Sequence, residues 1–219
     1  RCVKNQIDSE VHFLTKQEYR DVLDSNPYVD KIILLKSNIL DTIKELKNEK
    51  YSVIIDLHNN LRSCLIKFNL RVSSYNFRKE RWKRFLLINF GLNLLKNHVV
   101  DRYFNCIKKI NVINDNNGLD YFLNKKTFVE FPINQPFIAW CIGASYDQKT
   151  LSKLQIIDVC NNVSSQIVLI GGGAELVKAN YILKHSTNNN IHNFCGKLSI
   201  DESAFLLKNS TLVLTNDTG

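Results

Sequence analysis

The 219-residue sequence predicts an α/β fold made of two Rossmann-like domains with parallel sheets. Short apolar runs rich in β-branched residues alternate with segments of helical spacing, which is the order of a βαβ series. A polar stretch at 111–135, with Gly118 and Pro132, interrupts this order. We therefore expect residues 1–125 and 126–219 to form the two domains.

The first domain is predicted to hold short strands separated by helices, with two longer helices after them. Each strand is a brief apolar run, and each helix repeats apolar residues at a period of 3.6. Because helices connect the strands, the strands should be parallel. The predicted strands are 11–14, 31–35 and 52–57, and the predicted helices are 16–24, 39–50, 61–70, 80–96 and 99–109.

The second domain repeats the same alternation after the polar stretch. Together the two series predict tandem Rossmann-like domains. The predicted strands are 137–142, 166–170, 191–194 and 211–215, and the helices are 151–161, 174–184 and 200–207.

Composition is that of a globular protein, with 44% hydrophobic and 23% charged residues. The chain contains no Met, and its last residue falls in a loop with functional character, so we expect an internal piece of a longer protein. No apolar run is long enough to span a bilayer, and residues 1–5 are not a signal peptide.

The six cysteines are widely dispersed and include no C-x-x-C pair. This pattern favours buried free thiols in a reducing cytoplasm over a disulfide framework or a zinc site.

Positive charge exceeds negative charge along the chain, with 29 Lys and Arg against 21 Asp and Glu, and a formal net charge of +8. The densest part is RKERWKR at 78–84, which would attract phosphates of nucleic acid, nucleotides or anionic lipid, although it could equally be a solvated helix face. Within this segment Trp82, Phe85 and Leu86 share a helical face. We expect that face to pack and the basic side to be exposed.

Several common active-site motifs are absent from the sequence. The glycines at 171–173 do not belong to a phosphate-binding GxxxxGK[ST] loop or to a GxGxxG fingerprint. Residues 143–145 lack the second glycine of a GxSxG elbow, and the five histidines have no metal-ligand spacing. The sequence therefore predicts no metal site and no P-loop or classical dehydrogenase chemistry.

A first candidate loop follows the strand predicted at 137–142. Gly143, Ala144 and Ser145 would let a ligand approach the backbone, and Lys149 stands just before a helix N-terminus that favours an anion. A diphosphate would suit this loop. A plain turn with a solvated lysine explains the same residues.

Two further loops end in glycine and a carboxylate. In IVLIGGGAE the glycines permit positive φ. Glu175 lies in a first helical turn, where its negative charge could interact favourably with the helix dipole, or its carboxylate could accept hydrogen bonds from sugar hydroxyls. Asp217, followed by Thr218 and Gly219, could form an Asx turn, cap a helix or contact a ligand.

Taken in order, these motifs resemble glycosyltransferase family 9, the lipopolysaccharide heptosyltransferases. The resemblance covers nearly the whole chain, because EVHFLTK and NPYVDKIILL near its start are also similar to the family's N-terminal domain. The other segments that carry it are IIDLHNNLRS at 54–63, IGASYDQK at 142–149, IVLIGGGAE at 167–175, CGKLSIDESA at 195–204 and the terminal NDTG.

The resemblance implies a GT-B architecture, in which the N-terminal domain takes a glycolipid acceptor and the C-terminal domain takes an ADP-activated heptose. Transfer would invert the anomeric centre without a metal or another cofactor. The expected setting is the cytoplasm, with peripheral association at the inner membrane surface as a hypothesis motivated by the basic segment. The acceptor would be of the lipopolysaccharide-core type.

The resemblance also implies roles for individual residues. Lys149 would neutralise charge on the leaving diphosphate. The general base of the family, an Asp in a loop after the first strand, would lie upstream of this chain, so we expect the chain alone to be inactive. Donor contacts would come from Glu175 and from Asp217 with Thr218 and Gly219, beside the small residues Gly143 and Ser145.

Acceptor contacts are expected from position alone. Asn59, Asn60 and Arg62 follow the strand predicted at 52–57 and could face an acidic or phosphorylated acceptor. A helix-start turn with an exposed arginine explains the same residues.

Other functions remain open at this point. The loops do not themselves read the base, so a transferase of UDP- or GDP-sugars or a GT-B epimerase fits the same residues. A basic nucleic-acid-binding protein is supported by charge alone, and the sequence has no RNP-type motif, so we expect no nucleic-acid partner.

Overall fold

A computed structural model describes residues 1–77, 79–94, 98–131 and 135–216. The chain forms two compact units, Arg1–Tyr121 and Phe122–Gly219. Every strand pairing recorded in the described ranges is parallel. The prediction of an α/β fold with parallel sheets is therefore confirmed.

The first unit contains two parallel strand pairs. Strand β1 (His12–Thr15) pairs with β2 (Lys31–Leu34), and β3 (Val53–Asp56) pairs with β4 (Ser73–Asn76). Short 3-10 turns lie at Gln17–Tyr19 and Lys108–Ile110. The helices are α1 (Cys2–Gln6), α2 (Asp21–Asp24), α3 (Ile39–Asn48), α4 (Leu61–Leu70), α5 (Arg81–Phe90) and α6 (Val99–Ile107).

The core of the first unit lies between β2 and the helices α3 and α4. Ile33, Ile43, Leu46 and Ile66 are buried against one another. Helix α4 starts where the sequence predicts, because Asn60 and Ser63 form a reciprocal capping box at its N-terminus.

The second unit is a four-stranded parallel sheet in the order β7–β6–β5–β8. Its strands are β5 (Phe137–Cys141), β6 (Gln166–Ile170), β7 (Ile191–Asn193) and β8 (Leu212–Thr215). Short 3-10 turns lie at Asp147–Lys149 and Gly173–Glu175. The helices are α7 (Lys153–Asn161), α8 (Leu176–His185) and α9 (Ile200–Asn209).

The central strands of this sheet are covered on both faces. Ala139, Val168 and Leu169 are fully buried, and alternate residues belong to two separate apolar clusters. Parallel sheets in α/β folds are buried in this way. Because β5 pairs in parallel with β6 and with β8, the carboxyl ends of these strands form one edge of the sheet. The loops that carry Lys149, Glu175 and Asn216 begin at this edge.

One packing prediction in the first unit is wrong. Trp82 and Phe85 were expected to pack, but they are 60% and 58% exposed, whereas Leu86 is half-buried.

Two elements of the first unit were also missed, namely the short helix α1 and the polar strand β4. Helix α5 ends at Phe90, where Gly91 adopts the left-handed conformation at the C-cap.

Candidate functional site

The loops after β5 and β8 are held together by one amide side chain. Asn216 donates through Nδ2 to the carbonyl oxygens of Gly143 at 3.1 Å and Cys141 at 3.4 Å. Its Oδ1 accepts from the backbone N–H of Leu151 at 3.4 Å. Asn216 thus fixes both ends of the loop that carries Ser145 and Lys149.

The side chain of Glu175 lies against two glycines from neighbouring strand ends. A Cβ added to Gly143 would lie 2.8 Å from both Cδ and Oε1 of Glu175. A Cβ added to Gly171 would lie 2.9 Å from Glu175 Cβ. Only glycine lets the side chain approach both backbones this closely. Glu175 is half-buried, at the end of a 3-10 turn directly before α8.

The glycines at 171–173 are not among the residues with positive φ, so none of them uses the left-handed conformation that glycine permits. Gly171 instead allows the close approach of the Glu175 side chain. Gly196 does require glycine, because its φ is +71° and a Cβ there would lie 3.2 Å from Gly173 Cα. Its N–H donates to the Gly171 carbonyl at 2.9 Å. This contact joins the loop after β7 to the loop after β6.

Lys149 lies on the 3-10 turn that follows β5, three residues before the helix cap. Its side chain is exposed and lines an open pocket of about 530 Å³ whose lining also includes Thr215 and Asn216. Helix α7 then begins with a capping box in which Ser152 and Gln155 exchange hydrogen bonds. The lysine thus lies near the positive end of a helix, where an anion is favoured.

A second lysine at this edge was missed by the sequence reasoning. Lys178, in the first turn of α8, donates through Nζ to the carbonyl oxygen of Leu151 at 2.6 Å. Burial lowers the pKa of Lys178 below its ordinary value, while the charges of Glu175 and Asp147 act in the opposite direction. Its position one turn after Glu175 is the signal that could have identified it.

The thiols beneath these loops are neutral. Burial raises the pKa of Cys195 to about 11, and the charge of Glu175 adds to the effect. Burial also raises the pKa of Cys141. A nucleophilic thiolate is not favoured here, so these cysteines serve as packing groups. All six cysteines are free.

The remaining predicted donor-side residues are Ser145 and the three at the end of the chain. Ser145 lies exposed in the loop after β5. Asp217, Thr218 and Gly219 lie outside the described residues, and their roles stay predictions.

In the first unit, a buried carboxylate follows β3. Asp56 accepts hydrogen bonds on Oδ1 from the backbone N–H groups of His58 at 3.0 Å and Asn59 at 2.7 Å. Its Oδ2 lies 2.6 Å from Lys67 Nζ. Burial alone would raise its pKa, but the hydrogen bonds from Lys67 and Asn59 outweigh burial and hold the pKa of Asp56 below its ordinary value.

The predicted acceptor-side residues follow this carboxylate. Asn59 adopts a φ of +45° and donates through Nδ2 to the carbonyl oxygen of Phe77 at 2.9 Å, and Asn60 caps α4. Both asparagines thus have structural contacts in addition to any ligand role. Arg62 is exposed and lines an open pocket of about 970 Å³ together with Lys16 and Lys36.

The described residues contain no cluster of three His, Cys, Asp or Glu side chains arranged to hold a metal ion. Within the same ranges, none of the helices has the length and apolar character required to cross a membrane.

The edge of the second unit carries a carboxylate, two lysines and glycine backbones, which are groups suited to hydroxyls and to negative charge. Glu175 supplies a hydrogen-bond acceptor for hydroxyls, and Lys149 and Lys178 supply positive charge. The glycine backbones allow close approach.

Comparison with known proteins gives a family match. The model of glycosyltransferase family 9 (heptosyltransferase) matches residues 39–219. A curated relative, lipopolysaccharide heptosyltransferase 1 of Campylobacter coli, is 21% identical over 244 residues, which cover 97% of this chain and 70% of that protein.

Solved structures share the fold. An ADP-heptose lipopolysaccharide heptosyltransferase II of E. coli superposes with a TM-score of 0.74 at 16% identity, over 99% of this chain and 72% of that chain. A family 9 glycosyltransferase of Veillonella parvula gives 0.74 at 18% identity, over 96% and 67%. An E. coli heptosyltransferase with ADP-2-deoxy-2-fluoro heptose gives 0.67 at 13% identity, over 99% and 76%.

Proposed function

This chain belongs to glycosyltransferase family 9, and from that membership we propose that it moves a heptose or related sugar from an ADP-sugar to a glycolipid of the lipopolysaccharide-core type. The transfer inverts the anomeric centre and uses no metal or other cofactor. The relatives named above support the sugar and the acceptor class.

The observation that carries the proposal is the position of Glu175. Its side chain packs against the glycine backbones at the ends of β5 and β6, with the carboxylate at Gly143, where the loop with Lys149 begins. A carboxylate there accepts hydrogen bonds from the two ribose hydroxyls of a nucleotide. In this proposal Lys149 and Lys178 supply positive charge to the diphosphate.

The proposed reaction is a direct displacement. The oxygen of an acceptor hydroxyl forms a bond to the anomeric carbon, the bond from that carbon to the diphosphate oxygen breaks, and ADP leaves with the electron pair. The hydroxyl proton passes to a general base. Lys149 stabilises the negative charge that develops on the diphosphate, a type of contribution that amounts to about 3 kcal/mol per well-placed group.

The other proposed donor-side residues lie beside the bound donor. The backbone at Gly143 and Ser145 lies beside the diphosphate, where an absent or small side chain is required. Asp217, with the backbone amides of Thr218 and Gly219, contacts the donor sugar and phosphates in this proposal.

The acceptor side rests chiefly on Arg62. Asn59 and Asn60 hold the turn before α4, and Arg62 is exposed in the pocket with two lysines. Lys16 pairs with Glu18 and Lys36 pairs with Glu45, so those two cations are partly neutralised. An acidic group of a glycolipid acceptor would bind beside Arg62.

Calorimetric titration with ADP, UDP and GDP tests this function. We expect ADP to bind most tightly and Lys149→Ala to weaken it about tenfold, since one charge-assisted contact is lost. Lys184→Ala, an exposed lysine at the far end of α8, is the matched control. Preference for UDP or GDP would retain a sugar-nucleotide enzyme and reject ADP-heptose. A folded protein that binds no nucleotide but binds RNA in a salt-sensitive way would contradict the proposal.

A further inference from the structure

Helix α5 presents its apolar side to solvent. Trp82, Phe85 and Ile88 recur every three residues, so they lie on one side of the helix, and they are 60%, 58% and 74% exposed. Leu86 and Leu87 are half-buried and attach the helix to its unit. A helix of a soluble protein normally buries its apolar stripe. Helix α5 thus leaves most of its own stripe uncovered.

The exposed apolar surface continues past the end of the helix. Phe90, Leu92 and Leu94 are 64%, 55% and 39% exposed, on either side of the Gly91 cap. Soluble proteins rarely leave so much apolar surface uncovered within one short segment unless it contacts a partner. These residues together form the α5 patch, which consists of Trp82, Phe85, Ile88, Phe90, Leu92 and Leu94.

The polar groups beside the α5 patch are positively charged. Helix α5 carries three basic residues and no acidic one within Arg81–Phe90. Lys79 and Arg81 are exposed. The ammonium of Lys83 lies 5.8 Å from the centroid of the Trp82 ring. The acid that precedes the helix, Glu80, is held by Lys83 and by Arg102.

This combination selects one kind of partner. A second copy joined through the same helix would place like charges opposite one another, which opposes association. An anionic bilayer surface meets both features, because basic side chains contact the headgroups and aromatic side chains enter the interface. We propose that the α5 patch docks the protein onto an anionic lipid surface, with Trp82, Phe85 and Ile88 inserted and Arg81 and Lys83 at the lipid phosphates.

This inference deepens the proposed function, since it supplies the surface on which a glycolipid acceptor would be met. Its test uses no sugar transfer and no nucleotide. The docking proposal can therefore fail while the transferase proposal stands, and the reverse also holds.

Vesicle flotation of the whole chain tests the apolar part of the surface. We expect binding to phosphatidylcholine vesicles with about 30% phosphatidylglycerol and much weaker binding to phosphatidylcholine alone. The double variant Phe85→Ser/Ile88→Ser should bind the anionic vesicles at least about tenfold more weakly. The matched control is Ile113→Ser/Val177→Ser, which changes side chains that are 70% and 80% exposed elsewhere. Equal binding by both double variants would overturn the proposal.

The charge contribution is tested separately. Arg81→Glu should weaken binding to the anionic vesicles about tenfold, whereas Lys125→Glu, with the same change in net charge, should have little effect. Equal losses in the two variants would mean that net charge alone drives binding, and the α5 patch would then be rejected.

The emission of Trp82 gives a direct readout of insertion. The chain has two tryptophans, and Trp140 is 3% exposed, so a change on lipid binding belongs to Trp82. We expect a blue shift with anionic vesicles in the parent and none in Trp82→Phe. Vesicle binding without that shift would contradict the proposal. Self-association in lipid-free buffer that Phe85→Ser/Ile88→Ser abolishes would assign the patch to a second copy instead.

Discussion

Two carboxylates follow parallel strands in this chain, and their surroundings differ. Asp56 follows β3 and is 6% exposed, with backbone N–H groups on one oxygen and Lys67 at the other. Glu175 follows β6, is half-buried, and packs against the backbones of Gly143 and Gly171. Both oxygens of Asp56 are engaged inside the protein and are buried away from any ligand, whereas Glu175 is half-buried at the strand edge, where a ligand can reach it. Position after a strand does not separate these roles; burial and internal partners do.

The largest expected effect comes from removing the buried carboxylate of Asp56. Asp56→Ala leaves the Lys67 ammonium buried without its counter-charge and removes the acceptor of two backbone N–H groups. We expect a loss of about 3–5 kcal/mol in the free energy of unfolding, measured by chemical denaturation. Asp21→Ala, at an exposed position, is the control. A loss below about 1 kcal/mol would mean that Asp56 is not structural.

The next largest effect is expected from a substitution that displaces the carboxylate of Glu175 without removing it. In Gly143→Ala the new Cβ meets the end of the flexible Glu175 side chain, which can swing away at little cost in stability. We expect about tenfold weaker ADP binding with a nearly unchanged free energy of unfolding. Gly173→Ala is the matched control, because a Cβ there meets nothing within 4 Å. Equal affinities in the two variants would contradict this account.

A smaller effect concerns the lysine that joins α8 to the loop after β5. Lys178→Met removes the hydrogen bond to the Leu151 carbonyl and a positive charge near the nucleotide side. We expect about fivefold weaker ADP binding by calorimetry, with partial recovery in Lys178→Arg. Lys184→Met should bind ADP as the parent does. If Lys178→Met also binds normally, the contact serves packing alone.

The smallest expected effect is the pH dependence of stability that comes from the buried carboxylate of Asp56. Its folded pKa is lowered, so the stability from Asp56 is fully present above the unfolded value of about 3.9 and is lost as the pH falls through the folded pKa. We expect the free energy of unfolding to fall more steeply on acidification below about pH 4 in the parent than in Asp56→Asn. Asp21→Asn should follow the parent. Identical slopes for the parent and Asp56→Asn would show that the pKa of Asp56 is not lowered.

Much of the second unit could be predicted from sequence, because its strands are continuous apolar runs. Strand β6 has the predicted bounds, and β5 and β8 differ by one residue at an end. In the first unit, β4 has the sequence SSYN and was missed. Its place depends on backbone pairing with β3, which side-chain hydrophobicity does not report.

The candidate site was predictable where motif and backbone agree. Glu175 and Gly143 could be named from the sequence, but their contact depends on the pairing of β5 with β6. Lys178 was missed because a lone lysine in a helix is usually solvated. The exposure of Trp82 was mispredicted because apolar periodicity identifies a helical face and does not say what covers it.

Titration of ADP into the parent, Glu175→Gln and Asp56→Asn separates the ligand-binding carboxylate from the structural one. We expect Glu175→Gln to weaken ADP binding about tenfold while the free energy of unfolding changes little, because a carboxylate that accepts ribose hydroxyls is lost. Asp56→Asn should lower stability and leave ADP affinity unchanged under folding conditions. Unchanged ADP affinity in Glu175→Gln would show that this carboxylate does not bind the nucleotide.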